Sequence, residues 1–158
     1  MPSNDQPQDA RFEDATSAAV ALRALEAADV PVVSAMVQDA VFPITEMRWD
    51  ASRRRFALLV NRFRWEVQGG TPERVQSVLA IEDVLKVSTQ GIDRADKDLV
   101  LSALALEWAA GEDGMGRLTI LLAGDGAIAL DVEALEVTLR DVTQSYRAIS
   151  GKMPDHSI

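Results

Sequence analysis

Cysteine is absent from these 158 residues, and histidine occurs once, at His156. The lack of thiols removes disulfides, thiolate metal sites and cysteine nucleophiles together, and it fits a reducing compartment. A serine triad, a histidine general base or a histidine metal site would each have to use His156. That residue lies in a polar terminal stretch, where a catalytic group is hard to hold in place. No catalytic residue, no metal site and no cofactor is therefore expected. The sequence also lacks an apolar run long enough to cross a bilayer, and a basic segment followed by an apolar one near its start. A cytoplasmic, unexported protein with no membrane partner is the expectation.

Positive charge is scarce as well. Sixteen Lys and Arg face 25 Asp and Glu, for a formal net charge of −9 and a pI near 4.6. Such a balance disfavours nucleic acid and anionic lipid as partners, since both need cations to compensate phosphate. The positive charge that is present is clustered. Between Arg48 and Arg64 there are arginines at 48, 53, 54, 55, 62 and 64 against the single acid Asp50, a local balance of +5 that leaves −14 for the rest.

With 47% apolar residues the chain suits one domain with a full core. Residues 1–16 carry only Phe12 as a large apolar side chain and cannot offset the entropy of ordering, so a disordered tail is expected there. Residues 151–158 are expected to fray, which leaves 17–150 for the domain. Ala19–Leu25 reads as a short strand. Val30, Val33, Val37, Ala40 and Val41 then recur at helical spacing after Asp29, a candidate N-cap.

The stretch from Arg53 to Glu66 organises the middle of the chain. Phe56, Leu58 and Val60 alternate with Ala57 and Leu59, so the first half of a strand is apolar on both faces. From Asn61 onward Arg62, Arg64 and Glu66 share one parity while Phe63 and Trp65 share the other, which predicts a strand wet on its arginine face. Phe42–Trp49 precedes it as a hairpin partner. A long β segment over Arg74–Thr89 is interrupted by Glu82-Asp83, at a bulge or bend. Leu99–Trp108 resumes alternation, and Leu118–Leu122 and Ile128–Val132 flank Gly124-Asp125-Gly126 as a hairpin. Leu135, Leu139 and Val142 share a helical face opposite Glu133, Glu136 and Arg140, predicting a closing helix of about three turns. The expected fold is α+β: a bent antiparallel sheet or partly open barrel of about seven strands, with one N-terminal helix and a C-terminal capping helix.

Most motif-like features have plain explanations. Glu133 and Glu136 read as a solvated helix face. Asp93, Asp96 and Asp98 miss the calcium-loop spacing, Gly124-x-Gly126 lacks the third glycine of a dinucleotide site, and Ser150-Gly151-Lys152 lacks the frame of a phosphate loop. The arginines stay open to two uses. Arg53, Arg54 and Arg55 at the hairpin turn, with Arg62 and Arg64 beyond, could grip a protein or a small anionic ligand through bidentate contacts. Alternatively they pair with the chain's own acids, which are in excess. Gln38, Asp39, Asn61 and Trp65 complete the candidate binding residues. Trp65 and Trp49 divide between interface anchors and core filling, and Asn61 between a recognition group and a buried amide.

Ser34-Ala35-Met36-Val37-Gln38-Asp39-Ala40, Arg54-Arg55-Phe56, Asn61-Arg62-Phe63-x-Trp65-Glu66 and Gly126-Ala127-Ile128-x-Leu130-Asp131-Val132-Glu133 together resemble an alphaproteobacterial family, domain of unknown function 2948. Ala129 and Ala134 depart from that pattern, which weakens an anion site at the last hairpin. The resemblance implies a bacterial cytoplasmic protein and assigns no activity. The order of elements is also similar to a pleckstrin-homology-like barrel plugged by its last helix. Two functions follow as expectations: a non-enzymatic binding or scaffold domain using the arginine strand, with a homodimer as one form of it, or a small enzyme with a carboxylate and arginine pocket at the barrel mouth.

Overall fold

In the computed structural model the described residues are 19–67, 69–142 and 146–147. The expected tail at 1–16 and the frayed end at 151–158, His156 included, lie outside them. The described residues form an almost entirely β structure of eleven strands, all paired antiparallel. In chain order these are β1 (Ala21–Ala24), β2 (Val41–Pro43), β3 (Met47–Asp50), β4 (Arg55–Phe63), β5 (Glu73–Ile81), β6 (Val84–Gln90), β7 (Val100–Ala110), β8 (Gly116–Leu122), β9 (Ala127–Val132), β10 (Val137–Asp141) and β11 (Tyr146–Arg147). The path through the sheet is β1-β10-β5-β4-β2-β7-β8-β9-β6, with β3 added to β4 and β11 to β5.

Two bent arms give the sheet its shape. β5 and β6 are separated only by Glu82-Asp83, and they pair with β10 and β9, which follow each other in the opposite sense. At the corner Asp83 adopts a left-handed φ of 55°, while Glu82 N donates to Glu136 O at 3.0 Å and Glu133 N to Asp83 O at 2.9 Å. Both arms therefore turn together and carry the sheet over on itself. The inward faces share one core, in which Phe42, Phe56, Leu58, Ile81, Leu130 and Leu139 are sealed from solvent. The helix α1 (Val30–Val37) buries Val30, Val33 and Val37 against this core, with Pro31 in its first turn where no amide hydrogen is needed.

Several expectations are corrected. The fold is not α+β with about seven strands: α1 is the only α-helix among the described residues, and there is no capping helix. The predicted closing helix is β10. Leu135 and Leu139 are four apart, a spacing that fits a helical face and equally fits one face of a strand, with Val137 between them. All three are buried, whereas Val142, the third residue of the supposed helical face, is exposed. Without the helical plug, the likeness to a pleckstrin-homology barrel falls as well. Asp29 does not cap α1 through its side chain; its carboxylate instead accepts from the amides of Leu25 and Glu26, both at 3.1 Å, tightening the 3-10 turn that precedes the helix. In β7 a bulge at Leu104 shifts the register against β8, so Ala103 and Leu106 face inward and Leu104 does not. The hairpin of β8 and β9 stands as expected.

Candidate functional site

The far end of β4 departs most from the sequence expectation. Its even parity stays inward through the whole strand, so Phe56, Leu58 and Val60 are followed on the same face by Arg62, and Arg64 stays buried just beyond. Arg62 is fully buried, and Arg64 is 5% exposed. The face predicted to be wet is the buried one. What makes this tolerable is complete hydrogen bonding of the charge. The Arg62 guanidinium donates to both oxygens of Glu66 at 2.9 Å, to Asp141 at 3.0–3.2 Å, to Ser77 Oγ at 3.1 Å and to the carbonyl of Phe63 at 3.0 Å. Ser77, placed between Val60 and Asp141 by register, donates to Asp141 Oδ1 at 2.6 Å. Asp141 also accepts the amide of Val20 at 2.8 Å, which ties β1 to the cluster. Arg64 donates to Glu73 at 2.8 Å and to Glu66 at 3.4 Å.

Charge states follow from this geometry. Burial alone would favour a neutral Arg62, but the hydrogen bonds and charges of Glu66 and Asp141 outweigh it and raise its pKa. Burial likewise works against an ionised Glu66, and the hydrogen bond from Arg62 prevails, holding that carboxyl below its ordinary value. On the surface, Asp50 is lowered by the Ser52 hydroxyl and the Arg53 amide, and Asp131 by Arg117.

These inward pairs hold Arg64 to Glu66 and Glu73, and Trp65 between them lies on the outside. Trp65 is 47% exposed, yet its indole nitrogen donates to Gln38 O at 2.9 Å and its ring leans on Phe63 with centroids 5.2 Å apart. Arg74, opposite Phe63 on β5, lays its guanidinium over that ring at 3.8 Å and donates to Asn61 O at 3.1 Å. Asp39 ends α1 with a left-handed φ of 65° and donates its amide to Ala103 O at 2.8 Å. Val41 is paired with both Asn61 and Ser102, so Leu104, 44% exposed, stands level with Asp39 at the margin.

The structure thus divides the sequence-derived candidates. Gln38, Asp39, Asn61 and Trp65 come together on the outer face, joined by Phe63 and Arg74, which the sequence reading did not single out. Arg62 and Arg64 point the other way. Arg53, Arg54 and Arg55 lie at the opposite end of β4, about 26 Å off at the strand rise of 3.3 Å per residue. There they pair with Asp50, with Glu133 and Asp83, and with Glu82 respectively. Arg55 also rims an open groove of about 780 Å³ whose floor includes Ala57, Val78 and Ala80. Across it Arg23 is held by Glu136 at 3.1 Å. Asp141, the Ser77 partner that completes the buried cluster, was hidden by the assignment of this stretch to a helix.

Among the described residues no group of three or more metal-ligating side chains converges, and no helix is long and apolar enough to cross a membrane. The chain is an antiparallel β domain folded on one core, with a buried arginine–carboxylate cluster supporting an aromatic outer patch. It belongs to the DUF2948 family, described as protein of unknown function, whose model matches residues 20–156. The family resemblance drawn from the sequence therefore holds. No curated protein and no solved structure matches the chain.

Proposed function

We propose that this is a non-enzymatic, cytoplasmic binding domain whose contact surface is centred on Trp65 and whose partner is another protein. One observation carries the reading: a large aromatic ring is held half-exposed by a hydrogen bond to Gln38 O and by contact with Phe63, beside Arg64, which is buried and ion-paired to Glu73. A preorganised Trp beside Phe and a stacked Arg is the composition of an interface anchor, and rigidity lowers the ordering cost of association. Exposed aromatic and arginine side chains are the types enriched in protein interfaces, which favours a protein over a small molecule as the partner. The arginine strand is not proposed as the contact, because its guanidinium groups are engaged by this chain's own carboxylates. Catalysis is less well supported: the carboxylates with displaced pKa values are moved downward, away from the range of a general acid or base at neutral pH.

A photo-cross-linking residue in place of Leu104 tests this in cells that make the protein. A discrete protein adduct is expected, lost on Trp65→Ala and not obtained when the cross-linker replaces Arg117 on β8. Adducts that survive Trp65→Ala, or equal yields from both positions, overturn the reading.

A further inference from the structure

The last described strand ends beside the Trp65 patch. β11 pairs antiparallel with β5, placing Arg147 opposite Glu73, and on the other side of β5 the Glu73 carbonyl accepts the amide of Arg64 at 2.9 Å. Arg147, Glu73 and Arg64 are therefore level. Two strand spacings of about 4.8 Å put the exit from β11 roughly 10 Å from the backbone next to Trp65. The direction matters as much as the distance. β4 and β11 are both antiparallel to β5, so they run the same way, and β4 ends just before Trp65. The chain leaving β11 thus heads for the end of the sheet where that ring stands. Residues 148–158 follow, and extended they reach up to about 36 Å.

This end of the sheet has apolar surface left to cover. Trp65 and Leu104 are exposed, and so is Val142, which donates its amide to Gln76 O at 2.9 Å and lies one row from Phe63 and Arg74 through the pair Gln76–Asn61. Asn61, Arg64, Arg74 and Gln76, all at this end, have interactions in addition to those given above, as expected where more of the chain packs. Residues 148–158 bring three large apolar side chains, Ile149, Met153 and Ile158, while Lys152 and Asp155 cancel in charge. Apolar contact, not net charge, therefore decides where the stretch lies. Two things favour it over a free partner as the resting occupant. The family model leaves out residues 1–19 but runs on to 156, so most of this stretch belongs to what the family shares. A segment tethered so close is also present at an effective concentration in the millimolar range, enough to populate a contact too weak to form between separate molecules.

We propose that residues 148–158 fold back across the Trp65 patch, laying Ile149 and Met153 against the exposed ring, and that a partner protein must displace them. The stretch is an autoinhibitory strap over the contact surface, and the inference rests on the reading of that surface as the contact. The partner's apparent affinity is then reduced in proportion to the fraction of molecules in which the patch is open.

The chain has only three tryptophans, so each gives its own fluorine resonance once fluorotryptophan is incorporated, and Trp65→Phe identifies the one of interest. A soluble gadolinium chelate speeds the relaxation of exposed rings. In the full chain carrying Ile149→Ser with Met153→Ser, the Trp65 enhancement is expected to rise about threefold over the parent, the gain from opening a patch covered in about two-thirds of molecules. Trp49 and Trp108 should not change. A peptide of residues 148–158 at millimolar concentration should reverse the rise, and the Leu104 adduct in cells should grow stronger in the variant. Met153→Ser alone gives a second test should the pair disturb folding. Equal Trp65 enhancement in parent and variants overturns the strap and leaves the contact reading standing, since no partner is present. Protection of Trp65 that fades on dilution overturns it too, because a second copy is then the occupant. An adduct lost on Trp65→Ala yet no stronger in the variant shows contact without inhibition, which also overturns the strap.

Discussion

The β8–β9 hairpin and the far end of β4–β5–β10 solve the same problem in opposite ways. In the hairpin every inward position is aliphatic, Leu118, Ile120 and Leu122 facing Ile128, Leu130 and Val132, and the one ion pair, Arg117–Asp131, lies outside. At the end of β4 the inward positions are charged, and the aromatic rings of Phe63 and Trp65 are outside. Burial in the first case is favourable by itself, at about 25 cal/mol per Å² of apolar surface. In the second it is tolerated only as a completed network, since each charge buried alone would cost several kcal/mol. A core of the first kind degrades gradually when trimmed; one of the second kind fails when a single member is lost.

That contrast can be broken at Arg62. Arg62→Ala leaves Asp141 buried without its counter-ion and Glu66 with only its longer contact to Arg64, and is expected to cost about 3–5 kcal/mol in urea unfolding at pH 7. Its penalty should shrink as pH falls below the ordinary Glu66 value of 4.5 and that carboxyl takes up its proton, whereas the cost of Leu130→Ala, about 2–5 kcal/mol from its cavity, should not vary with pH. Equal pH dependence of the two would erase the distinction. Next in size is Gly116→Ala in the apolar half. Trp108 folds over Gly116, and a Cβ there would meet Trp108 Cζ2 and the Ala109 carbonyl at 2.6 Å each. About 1–3 kcal/mol of overpacking is expected, read as a lowered denaturation midpoint with unchanged slope.

The smallest effect sharpens the comparison through pH alone. Glu66 has a depressed folded pKa, so its contribution is full above the ordinary value of 4.5 and is lost as pH falls through the lower folded value. Glu66→Gln should therefore be less stable than the parent at pH 7 and should converge with it in acid. A constant gap across that range would show that the carboxylate's charge is not what Arg62 requires.

The apolar half was legible because there polarity and burial agree. Leu118 to Val132 reads as a hairpin on alternation alone, and its glycine-flanked turn fixes the register. The charged half was misread for one reason with two results. Alternation locates faces but does not say which is inside, and the usual assumption that charge is outside turned Arg62 and Arg64 toward solvent. The same assumption, applied to Glu133, Glu136 and Arg140, favoured a helix over β10 and so concealed Asp141, the acid that would have shown where Arg62 belongs. The outer cluster was half visible: Gln38, Asp39, Asn61 and Trp65 were singled out, but Arg74 joins them only through the pairing Phe63–Arg74, which no local pattern announces.

The pairing of β1 with β10 fixes an order of events. Ala21–Ala24 forms its ladder with Val137–Arg140, so among the described strands the first to be made pairs with one of the last. Asp141 emerges equally late, and until then Arg62 lacks its innermost counter-ion while β4 and β5 are already available to each other. Completion thus waits on contacts distant in sequence, the class of topology that folds in milliseconds to seconds.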